Sequence, residues 1–63
     1  MDQTVEKNFL DEVIVKRIRI KIFLTNGFQM TVIIERHDDT AIFCKEGEKR
    51  RLVYKHAIST YEL

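Results

Sequence analysis

A chain of 63 residues is short for a hydrophobic core: at this size only about 60% of the unfolded surface is buried on folding, so a crosslink, a metal or a partner usually supports the domain. Cys44 is the only cysteine, and His37 and His56 lack metal-ligand spacing, so self-association is the remedy that remains. With 44% hydrophobic and 33% charged residues the composition is that of a folded protein, and a net charge of +1 does not by itself announce a nucleic-acid binder.

The charge is unevenly distributed. Asp2, Glu6, Asp11 and Glu12 make the start of the chain acidic, whereas Lys16 to Lys21 and Lys45 to Lys55 are mostly basic, so a ring of such subunits presents a basic face while staying nearly neutral. The longest uncharged run, Ile22 to Ile34, is broken by Thr25, Asn26, Gly27, Gln29 and Thr31 and cannot span a membrane. No basic segment followed by an apolar core opens the chain, so no signal peptide is read and a cytoplasmic location is expected. Cys44 fits a reducing compartment and reads as a small core residue.

Val5, Phe9, Leu10 and Val13 recur at helical spacing and predict a short amphipathic helix over Val5 to Val13, capped by Thr4 or Asp2. The β-branched Val13, Ile14 and Val15 then hand over to extended chain. In Ile18 to Thr25 the isoleucines and Leu24 alternate with Arg19, Lys21, Phe23 and Thr25, the pattern of a half-buried strand with Phe23 on its outer side. Asn26-Gly27 predicts a type I′ hairpin turn, and Phe28 to Arg36 a second, antiparallel strand. His37-Asp38-Asp39 reads as a turn, Thr40 to Lys45 as a third strand, and Glu46-Gly47-Glu48 as another turn. Arg51 to Tyr54 and Ala57 to Tyr61 are the fourth and fifth strands, parted by Lys55-His56. One helix followed by five short strands predicts a mostly β, strongly bent open barrel forming a single domain over residues 1–63. If the fourth strand of one subunit pairs with the fifth of its neighbour, the head-to-tail contact closes into a ring.

No Ser-His-Asp or Cys-His arrangement, catalytic carboxylate pair or phosphate-cradling glycine loop is present, so an enzyme is the poorest fit, and no cofactor or small-molecule substrate is expected. Asp38 and Asp39 read as turn formers. Lys55 and His56 alone are the makings of a solvated turn.

NFL at Asn8 to Leu10, FLTNGFQM at Phe23 to Met30, the acidic turn at Asp38 and above all YKHAIST at Tyr54 to Thr60 give this chain a resemblance to the Hfq family, the bacterial Sm-like RNA-binding ring proteins. The resemblance runs from Asn8 to Tyr61, with one extra residue near Glu46 to Arg51. It implies an Sm-like fold, a homohexamer, and single-stranded RNA, both small regulatory RNA and mRNA, as the partner of an RNA chaperone.

By that resemblance Lys55 and His56 line the pore and contact uridine-rich RNA on a proximal face, with Thr40, Asp39 and Glu6 beside them. Phe23, Asn26, Gly27, Phe28, Gln29, Met30, Thr31 and Thr60 correspond to a distal, purine-binding face. Lys16 and Arg17 keep half of a basic lateral rim, and Lys49, Arg50 and Arg51 add an unusual cluster. Thr40 replaces the aromatic residue on which uracil stacks, and Glu6-Lys7 replaces a Gln-Asp pair, so weakened uridine binding is expected. Val32 replaces a glycine at a sharp bend, which is expected to differ. Two other readings use the same barrel: an Sm-like ring of reduced RNA affinity serving as a protein-interaction module, and an SH3-like peptide reader, the latter disfavoured by the lack of tryptophan and of a proline-binding aromatic cluster.

Overall fold

Ile20 and Ile22 are buried while Arg19, Lys21 and Phe23 between and beside them are not, and this two-residue period sets the first strand on the core. The computed structural model describes residues 3–63. Helix α1 (Gln3–Lys16) precedes strands β1 (Arg19–Leu24), β2 (Gln29–His37), β3 (Ala41–Glu46), β4 (Lys49–Tyr54) and β5 (Ile58–Glu62), with a single 3-10 turn, Lys55–Ala57, before the last. The strands form one antiparallel sheet in the order β4-β3-β2-β1-β5, which leaves β4 and β5 as its two edges.

The helix is longer than its sequence predicts. It continues through Val13, Ile14 and Val15 to Lys16 because burial of Val13 and partial burial of Ile14 outweigh the small propensity penalty of β-branched residues. What stops it is Arg17, with φ of 52°. Ile18 N–H donates to Val13 O at 3.1 Å and Arg17 N–H to Ile14 O at 3.2 Å, the paired bonds of a Schellman end. Thr4 lies inside the helix and is not its cap, and Asp2 lies outside the described residues. Val5, expected on the apolar face, is 71% exposed.

The first hairpin departs from a type I′ turn. Asn26 keeps a negative φ; only Gly27, at φ 94°, is positive. Gly27 N–H donates to Leu24 O at 3.0 Å and Leu24 N–H to Phe28 O at 2.8 Å, so Thr25, Asn26 and Gly27 form a three-residue loop ending in a glycine bulge. This loop spares Asn26 the left-handed region and lets its Oδ1 accept the Phe28 N–H at 3.0 Å. In the second hairpin Glu46 pairs with Lys49 around Gly47-Glu48, so β4 begins at Lys49 and not at Arg51. Elsewhere β1 and β3 sit a residue inside or beyond their expected ends, and β5 starts at Ile58 because Ala57 belongs to the 3-10 turn.

Two irregularities bend the sheet. Val32 pairs regularly with Ile20 and is buried; the irregularity in β2 falls between Ile34 and Arg36, and a second lies where β1 meets β5 at Phe23 and Leu24. Leu10 and Val13 of α1 close the core over Ile20, Ile22, Ile34 and Ile42. Cys44 is fully buried there, and burial pushes its thiol up to about 11, as befits a core residue and not a nucleophile. Among the described residues no helix is long and apolar enough to cross a membrane.

Candidate nucleic-acid interface

The 3-10 turn is fastened to the loop of the first hairpin and to the turn between β2 and β3. Lys55 N–H donates to Thr40 O and Thr25 N–H to Ala57 O, each at 2.8 Å, so the turn between the two edge strands cannot drift from the sheet. The rings of Tyr54 and His56 stack in parallel, 5.6 Å apart and 9° off coplanar, with both residues exposed. Lys55 is half-buried, and its Nζ lies 3.2 Å from His37 Nδ1.

His37 was expected in a turn, and it is the last residue of β2. Ile34 faces Cys44 and Arg36 faces Phe43, so Glu35 is the extra residue of a bulge. The bulge reverses the alternation: Arg36 joins Phe43 on the outer face, its guanidinium 5.4 Å from the ring centroid, and His37 pairs with buried Ile42 on the helix side. There His37 Nε2 lies 2.8 Å from Asp11 Oδ1, and Asp11 Oδ2 accepts from Lys7 Nζ at 2.7 Å. Lys7 foremost, then His37, hold the Asp11 carboxyl below the usual carboxylate range. The side chains of Lys7, Asp11, His37 and Lys55, with Asp38 and Asp39, line an open cleft of 720 Å³.

Asp38 shapes the rim of that cleft. Its Oδ1 accepts from the N–H groups of Thr40 at 2.8 Å and Ala41 at 2.9 Å, and these backbone bonds hold its carboxyl below the ordinary pKa. Thr40 is thereby exposed beside Lys55, offering a hydroxyl and a methyl. Glu6 stands apart from this group. It accepts from Tyr61 Oη at 2.8 Å, tying α1 to β5, and the Tyr61 phenol is pushed up by burial and then by Glu6. Phe9 packs on the same ring, 5.6 Å between centroids.

The hairpin residues divide between two surfaces. Thr60, Phe23 and Gln29 fall in one row across β5, β1 and β2, on the sheet face away from the core, with Lys21 opposite Thr31 in the adjoining row. Phe23 is half-buried where an exposed ring was expected, and Lys21 Nζ covers it at 6.0 Å from the centroid. Met30 pairs with Ile22 on the core side. Phe28, 69% exposed, joins Gln29, Met30, Arg50, Arg51 and Tyr54 around a second cleft, of 590 Å³. Asn26 and Gly27 build the loop between these surfaces. At the helix end Lys16 is paired with Glu12 at 2.8 Å and Arg17 holds the left-handed position.

Sequence reasoning missed His37 as the partner of Lys55 and Asp11 as the partner of His37. Nothing in their spacing signals it, because the bulge that re-aims His37 depends on one unpaired residue, Glu35, in a run that otherwise reads as continuous strand. Among the described residues no three His, Cys, Asp or Glu are grouped to hold a metal ion.

Residues 5–62 match the family model described as Hfq protein. The RNA-binding protein Hfq of Fervidobacterium nodosum is 38% identical over 55 residues, which cover 87% of this chain and 62% of that protein. The protein of the same name from Halalkalibacterium halodurans is 35% identical over 57 residues, 90% of this chain and 73% of its own length. The chain thus spans less than two thirds of the first of these relatives. These relatives are named RNA-binding proteins and not enzymes. The 1.55 Å crystal structure of the pleiotropic translational regulator Hfq matches the fold with a TM-score of 0.92 at 33% identity, covering 95% of this chain and all of that one.

Proposed function

The chain belongs to the Hfq family, and from that premise we propose that it forms a homohexameric ring in the cytoplasm that binds single-stranded RNA and promotes the pairing of small regulatory RNAs with mRNAs. The observation that carries this reading is the position of Lys55-His56 in the short turn joining the two free sheet edges. Pairing of β4 with β5 of a neighbour sets such a turn at every subunit junction, so that symmetry repeats one cation around the axis. Leu52 and Tyr54, 56% and 52% exposed on β4, favour a covered edge. A weak phosphate contact repeated in this way gives a focused potential that a flexible strand can follow.

Purine-rich RNA is assigned to a distal site through the Phe23, Gln29 and Thr60 row and the adjoining cleft of Phe28 and Met30, with Asn26, Gly27 and Thr31 alongside. Uridine-rich RNA is assigned to the proximal face through Lys55 and His56, weakly because Thr40 has no π face. Fluorescence anisotropy with oligo-A and oligo-U tests the assignment. Phe23→Ala is expected to weaken oligo-A by about tenfold, the loss of one stacking platform, and Lys55→Ala to weaken oligo-U alone. Unchanged oligo-A affinity in Phe23→Ala would contradict the distal assignment.

A further inference from the structure

We propose that Arg19 and Lys45, continued by Arg50 at the border of the cleft that Phe28, Gln29 and Met30 line, form a phosphate-binding track for single-stranded RNA on the sheet face away from α1, leading away from the purine site. The strand register carries it. Arg19 faces Ile33, Ile33 faces Lys45, and Lys45 faces Arg50, so three cations lie in one row across four strands. Strands are spaced about 4.8 Å apart, which puts Lys45 about 5 Å from Arg50 and about 10 Å from Arg19 at the backbone.

All three cations belong to exposed residues, and half-buried Ile33 between them gives their aliphatic stems an apolar floor. Arg19, Thr31, Ile33, Lys45 and Gly47 line a shallow cleft of 350 Å³ that contains no carboxylate. Among the described residues neither Arg19 nor Lys45 has an ion-pair partner, while Arg50 is steadied by Glu35 at 3.3 Å. Like charges directly opposite each other in a sheet are unfavourable; Glu35 offsets this at Arg50, and an anion at Lys45 would relieve the remainder. The row also continues an existing surface. Phe23-Gln29, Lys21-Thr31 and Arg19-Ile33 are successive pairs on one face, so the cations begin about 13 Å along β1 from the stacking residue, a span of a few nucleotides. Glu62 faces Lys21 across β5, which makes Lys21 the lesser contact.

This track rests on the reading of the chain as a single-stranded RNA binder, and the test separates the two. Oligo-A of about six nucleotides, within one stacking site, and of about twenty, long enough to leave it, is titrated against wild type and the double variant Arg19→Gln/Lys45→Gln at several salt concentrations. The double variant is expected to bind the short oligomer as wild type does and the long one at least tenfold more weakly at low salt. Its salt slope for the long oligomer should become shallower by about 0.7 for each phosphate that is no longer neutralised. Arg19→Lys, which keeps the charge, should restore the slope when combined with native Lys45. Equal affinity and slope for the long oligomer in variant and wild type overturn the track alone. Failure of wild type to bind even the short oligomer overturns the RNA reading and the track together.

Discussion

Lys55 Nζ lies 3.2 Å from His37 Nδ1, so the lysine of the edge turn is held by the last residue of β2. An ammonium only donates; Nδ1 therefore accepts, and Nε2–H donates to Asp11 Oδ1 at 2.8 Å. The imidazole is 10% exposed and bridges α1 to the turn that the family resemblance marks most strongly.

His37→Ala removes both bonds and leaves Lys55 without its anchor. A destabilisation of about 1–3 kcal/mol is expected for a part-buried bridging group, read from urea midpoints. A double-mutant cycle with Lys55→Ala should return a coupling of about 0.5–1.5 kcal/mol. Additive effects would show that the contact carries no energy.

Thr40 is exposed beside Lys55 and lacks a π face. Thr40→Phe should tighten oligo-U by about 1 kcal/mol or more per occupied pocket while leaving oligo-A nearly unchanged. Anisotropy titrations at two salt concentrations check this, and strong oligo-U binding by the unmodified chain, indifferent to the substitution, would show that another residue supplies the stack.

Arg17 ends α1 at a positive φ that L side chains adopt at a cost. Arg17→Gly relieves that strain but frees the unfolded chain, and a net gain of about 0.5–1 kcal/mol is expected in urea denaturation. A loss of stability would mean that the Arg17 side chain contributes more than its backbone costs.

The Asp38 carboxyl lies below its ordinary value because Thr40 and then Ala41 N–H groups donate to it. Its folded value being depressed, its stabilisation is present above the unfolded value of 3.8 and is lost as pH falls through the lower folded value. Asp38→Ala should therefore lower the urea midpoint at neutral pH, and the gap from wild type should narrow as pH drops below 3.8. Asp11, lowered by Lys7 first and by His37, keeps an acid limb in the variant. A gap that is constant with pH would show that the Asp38 charge is not what holds the turn.

Much of this molecule is legible in the chain because alternation in Arg19 to Leu24 and helical spacing in Phe9, Leu10 and Val13 are direct consequences of burying one face. The edge positions of β4 and β5 follow from the same layout. What was not legible depends on single residues that break a period. The extra Glu35 turns His37 toward Asp11, Gly27 alone takes the positive φ of the hairpin, and Arg17 terminates a helix whose β-branched residues fail to end it. The expected outward Phe23 is found on the outer face, yet it is half-buried there, with Lys21 Nζ 6.0 Å from its ring centroid.

Native mass spectrometry of the chain at micromolar concentration with equimolar rings and oligo-A tests the proposal of an RNA-binding homohexamer most directly. A particle of six chains of 7.5 kDa, carrying the oligonucleotide, is the expected result. A 7.5 kDa monomer, or a hexamer that carries no RNA, would contradict it.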